Sequence, residues 1–163
     1  MEALNKVNEW FNGALTFLGG LALVLMTLIS CVNMVLRLFG HALASSFELV
    51  SFLGALTVAL PLGYTQIKKS HIAVDILSST FSPGSRRIVV GISLVLGIIL
   101  FSVAAWQVGA YAEILRRTGE VSETLRLSYY PFAYGVAIAC GSMTFSLLVD
   151  LISMLAKPTS AGQ

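Results

Sequence analysis

His71 and Asp75 have the types and spacing closest to a chemical device in this sequence. One turn apart on a helix, they share a face, as the two groups of a proton relay or half of a metal site would. A histidine and one carboxylate supply too few ligands for a metal, so a helix cap or a contact with lipid headgroups is the favoured reading. The surrounding residues point the same way. Lys68 and Lys69 form the densest positive charge in the chain, and Ile72, Ala73, Ile76 and Leu77 share one helical face while His71, Asp75, Ser78 and Ser79 share the other. That pattern predicts a short amphipathic helix lying in the headgroup plane.

Three other groups could do work. Asn33 and Arg37 sit one turn apart at the end of a long apolar run, and Glu48 begins the next. Ionisable groups at membrane depth are costly and face protein or water. Arg37 and Glu48 are therefore expected to pair across a tight hairpin, or one of them to meet a neighbouring subunit; an arginine near a helix end can instead reach the headgroups. Cys31 and Cys140 lie inside apolar runs, where a thiol behaves as a small hydrophobe, and neither belongs to a CxxC or Cys/His cluster. The histidines, His41 and His71, lie in expected loops, which argues against axial haem ligands inside a bundle. No phosphate-binding glycine loop and no serine, cysteine or histidine constellation for catalysis is present, so an enzyme is not expected.

These residues belong to elements that only a membrane can accommodate. Apolar residues make up 56% of the 163-residue chain and charged ones 11%, with a mean hydropathy of +0.86. A soluble domain carries about a quarter charged residues. The net charge of +2 and the lack of any basic-aromatic run exclude a nucleic-acid partner. Four apolar runs predict an all-α integral membrane protein with four transmembrane helices over about 11–36, 49–67, 88–112 and 127–149. The interfacial helix between the second and third is expected at about 68–80, and a tail at 158–163. The first run is too long for a signal-peptide core and is preceded by Glu2 and Glu9 beside Lys6, so the N-terminus is expected to be kept.

Ser51, Ala55, Ala59 and Gly63 recur every fourth residue of the second span, and Ala133, Ala137 and Gly141 do so in the fourth. Such stripes let helices approach closely in lipid. Pro61 is expected to kink the second span. Beyond the third span, Glu113, Arg116 and Arg117 continue the helical spacing as a polar extension with Gly119 as its terminator, followed by a hydrophilic loop through Glu120, Glu123 and Arg126. Trp10, Trp106 and all five tyrosines fall near span ends, as interfacial belts require. Lys6, Lys68, Lys69, Arg86, Arg87 and Lys157 share one side against Arg37, Arg116, Arg117 and Arg126 on the other, which favours both termini in the cytoplasm.

The chain resembles the small membrane subunit, the DctQ type, of tripartite ATP-independent periplasmic (TRAP) transporters. The likeness rests on Asn33-Met34-Val35-Leu36-Arg37, on Phe47-Glu48-Leu49, on Gly63 followed by Lys69-Ser70-His71-Ile72-Ala73-Val74-Asp75, and on Ser122-Glu123-Thr124-Leu125 leading through Tyr129-Tyr130-Pro131 to Gly135. The family often has glycine and proline near the start of the last span, where this sequence has Arg126 and Ser128. The resemblance implies a bacterial inner-membrane subunit that carries no cofactor itself and works with a large membrane subunit of the DctM type and a periplasmic substrate-binding protein of the DctP type. It implies sodium-driven uptake of an organic acid, with substrate and sodium sites in the large subunit. On that reading Asn33, Arg37, Glu48, Gly63, Lys69, His71 and Asp75 are candidate scaffold residues, and Glu113, Arg116, Arg117, Glu120, Glu123 and Arg126 either contribute charge to docking of the binding protein or form a merely solvated helix end. The rival readings are a membrane anchor of a redox or signalling complex and a self-sufficient small exporter.

Overall fold

A computed structural model describes residues 2–41, 43, 45–68 and 83–156. The amphipathic joint, with Lys69, His71 and Asp75, and the tail from 157 lie outside the described residues. Helix α1 runs Glu2–Leu38, α2 Ser46–Ala59, α3 Leu62–Ile67, α4 Pro83–Thr118 and α5 Tyr130–Ala156. The protein is all-α, and no strand occurs among the described residues. Among the described residues four stretches are long and apolar enough to cross a membrane: Lys6–Leu38, Ser46–Ile67, Ile88–Thr118 and Tyr130–Leu155, of 33, 22, 31 and 26 residues. The helices thus run beyond the apolar cores, because polar residues one turn outside them keep the helical hydrogen bonding. Glu2 to Glu9 belong to α1 and do not form a separate lead segment.

Local chemistry sets the ends. At the foot of α1, Gly40 takes a positive φ of 77°. Its N–H donates to the Arg37 carbonyl and that of His41 to the Leu36 carbonyl, closing the helix with a Schellman motif. Gly119 (φ 66°) ends α4 in the same left-handed conformation. Pro61 has no N–H, and the second span breaks at Leu60-Pro61 into α2 and α3. Leu127 to Tyr129 stay outside α5: they fold back on Val121 through a single bridge, Val121 to Ser128.

Helix α5 is the hub. It packs along α4 and also touches α1, α2 and α3. Of its most apolar stretch 44% is buried, against 6% for α4, which turns its other side outward. One core cluster joins Leu15, Ala59, Leu60 and Ala139; a second joins Leu94, Met143 and Leu147, flanked by Ile98 and Phe101. Helices immersed in lipid gain nothing from hiding apolar surface, so close contact must hold them. A Cβ at Gly97 would stand 3.2 Å from Leu147 Cδ1, which shows how near α4 lies to α5.

Candidate functional site

The polar groups gather at the two ends of the bundle. At the hairpin end, Glu48 in the first turn of α2 takes three hydrogen bonds from a loop more than seventy residues away. Ser122 Oγ donates to Oε2 at 2.5 Å, the Leu125 N–H to the same oxygen at 3.1 Å and the Thr124 N–H to Oε1 at 3.0 Å. The loop is also tied to itself: Ser122 N–H donates to the Leu127 carbonyl and Arg126 N–H to the Ser122 carbonyl. Phe52 stacks on Phe132 and meets Tyr129 edge-on, which seats the loop on α2.

This arrangement corrects the expected Arg37–Glu48 pair. No ion pair links them among the described residues; the Glu48 carboxylate is turned to the loop donors instead. Asn33 Oδ1 accepts from the Leu43 N–H at 2.9 Å and so fastens the α1–α2 turn, while Arg37 is exposed. Glu113, one turn before the end of α4, forms ion pairs with Arg116 at 3.0 Å and Arg117 at 2.9 Å and accepts from Tyr134 Oη at 2.8 Å. The Tyr134 bond joins α4 to α5. Glu120, Glu123 and Arg126 are exposed on the loop. Arg126 takes a φ of 51°, the left-handed conformation that glycine adopts freely and other residues at a cost. This is the position at which the family resemblance led to an expectation of glycine.

At the opposite end lies a cluster that the sequence reading missed. Asn8, Asn12, Ser142 and Ser146 are all buried, Asn12 and Ser146 almost completely. Asn12 Nδ2 lies 2.7 Å from Asn8 Oδ1 and 3.2 Å from Ser146 Oγ, and Ser146 Oγ donates to Asn8 Oδ1 at 3.0 Å. These bonds join α1 to α5. Gly63 of α3 lies directly against the Asn12 carboxamide, where a Cβ would overlap Asn12 Oδ1. A turn further on, Gln66 Nε2 donates to Asp150 Oδ2 at 2.8 Å, joining α3 to α5. The available signal was the i, i+4 spacing of Asn8 and Asn12, which continues the face of buried Leu15.

The small-residue stripes divide. Ala59 and Gly63 are buried in helix contacts, whereas Ser51 and Ala55 are exposed. Ala133, Ala137 and Gly141 are half-buried; Ala137 Cβ lies 3.9 Å from the place a Cβ would take at Gly109, and Gly141 has nothing so near. Among the described residues no group of three or more His, Cys, Asp or Glu side chains could hold a metal ion.

A family model described as "Tripartite ATP-independent periplasmic transporters, DctQ component" matches residues 26–157. The chain belongs to the DctQ family. It is therefore a multi-pass membrane protein and a component of a TRAP transporter. The matched stretch includes Arg37, Glu48, the clasped loop, Gly63 and Ser146, but begins after Asn8 and Asn12. No curated protein and no solved structure matches the chain.

Proposed function

We propose that the chain is the non-catalytic small subunit of a sodium-driven secondary transporter for organic-acid uptake in a bacterial inner membrane. It scaffolds a large DctM-type subunit that owns the solute and sodium sites, and its hairpin end faces the periplasm and helps receive a DctP-type binding protein. Both termini lie in the cytoplasm. The observation that carries this reading is what the chain does with its acidic side chains: Glu48, Glu113 and Asp150 hold the loop and the helices together at the ends of the spans. A pathway of its own would place such groups along the interior.

The test is uptake in cells lacking this subunit, with and without the gene restored. Uptake that depends on the subunit, together with co-purification of a large membrane partner, supports the proposal; solute movement by the purified chain alone in liposomes refutes it. Reporter fusions at each terminus and within 119–129 test the orientation. For docking, charge reversal at Arg116 and Arg117 is expected to weaken uptake and to alter its salt dependence, since exposed charges act mainly on encounter. Unchanged uptake at every salt concentration would remove the loop from the docking surface.

A further inference from the structure

Glu48 is engaged by the loop, and Arg37 has no counter-ion among the described residues. Arginine at the end of a helix commonly turns to the last carbonyls, but the Leu36 and Arg37 carbonyls are already taken by the N–H groups of His41 and Gly40. Asn33, the neighbour one turn back, is bonded to Leu43. The guanidinium thus stands in the last turn of the first span, with none of its donors bonded to a described residue. The residues beside it in sequence are large, apolar and uncovered: Met34 is 72% exposed, Leu38 81% and Phe39 74%.

A group that satisfies this place must carry negative charge and an apolar body together. From these residues we propose that Arg37, Met34, Leu38 and Phe39 form a binding site for an anionic phospholipid, with the guanidinium on the headgroup phosphate and the apolar side chains against the first part of the acyl chains. The planar fork of arginine matches two phosphate oxygens at once, which lysine cannot do. The surrounding membrane supplies that ligand at the depth where the span ends. A carboxylate on a neighbouring helix would have to be brought there and desolvated.

The experiment is native mass spectrometry of the purified full chain with phosphatidylglycerol or phosphatidylcholine added to the detergent, comparing wild type, Arg37→Gln, Arg37→Lys and, as a control cation at the same end, Arg126→Gln. Wild type and Arg126→Gln are expected to retain phosphatidylglycerol over phosphatidylcholine by roughly fivefold, the worth of one basic residue at a charged membrane surface. Arg37→Gln is expected to abolish the preference and Arg37→Lys to keep part of it. Excess inorganic phosphate should not displace the lipid, because phosphate lacks the acyl chains. Equal retention in wild type and Arg37→Gln overturns the proposal, as does displacement by phosphate. In native membranes containing the partner subunits, a carbodiimide cross-link from Arg37→Lys to another polypeptide would also overturn it, by showing a protein carboxylate at the site. These readouts do not depend on transport, so they can fail while the proposed function stands.

Discussion

The two ends of the bundle solve the same problem with opposite chemistry. Where Asn8 and Asn12 meet Ser146, the contact is neutral, buried and helix to helix, with Gly63 giving the asparagine room. Where Glu48 meets Ser122, Thr124 and Leu125, the contact is charged, wetter and helix to loop. A neutral amide can be sealed between helices without the desolvation cost of an ion, and the bonds of Asn12 Nδ2 and Asn8 Oδ1 to Ser146 tie the two helices together. A carboxylate accepts several backbone donors at once, which suits it to holding irregular chain. The first end should therefore govern the stability of the bundle, and the second the shape of the surface it presents.

The contrast breaks most sharply at Gly63. Gly63→Ala drives a methyl group into the Asn12 carboxamide, and a loss of about 1–3 kcal/mol is expected for overpacking of this kind. The measurement is thermal unfolding in detergent, and an unchanged midpoint would mean that the neutral end is looser than its geometry implies. Glu48→Ala is expected to do the reverse: amide exchange at Thr124 and Leu125 should rise to the rate of exposed loop backbone, while the midpoint barely moves. Should the bundle unfold early instead, the division between the ends is wrong. Asn12→Ala removes one hydrogen bond between helices, that to Ser146 Oγ; such bonds in membranes average about 0.6 and reach about 1.7 kcal/mol. The same unfolding assay, run together with Ser146→Ala and the double variant, should show the two losses to be non-additive.

The smallest effect sharpens the charged end. Arg126→Gly relieves a left-handed conformation that costs about 1–2 kcal/mol, offset by the roughly 0.5–1 kcal/mol of extra chain freedom that glycine loses on folding. A slight slowing of exchange across 121–128 is the expected outcome; faster exchange would show that the arginine side chain itself holds the turn.

The helices could be read from the sequence because apolar run length and the breakers act locally: Pro61 and Gly119 interrupt the chain where their backbones dictate. The polar partnerships could not. Glu48 and Ser122 are 74 residues apart, and one unaligned sequence holds no record of that distance, so the nearer Arg37 looked like the partner. Asn8 and Asn12 stand among Glu2, Lys6 and Glu9, where a polar residue resembles solvated surface. Their burial is decided by α3 and α5, which close over them.

The spans are also unequal, and the bilayer must answer for it. At 1.5 Å per residue the 33 residues of the first extend about 50 Å, whereas the 22 of the second reach about 33 Å across a hydrocarbon layer about 30 Å thick. Only the shorter can stand upright without protruding. The longer ones must lean, project into the headgroups or draw the lipid around them into a thicker collar. Acyl-chain length thereby becomes a mechanical variable for this protein, and shortening the lipid should steepen the lean of α1 and α4 while leaving the second span, α2 with α3, nearly where it was.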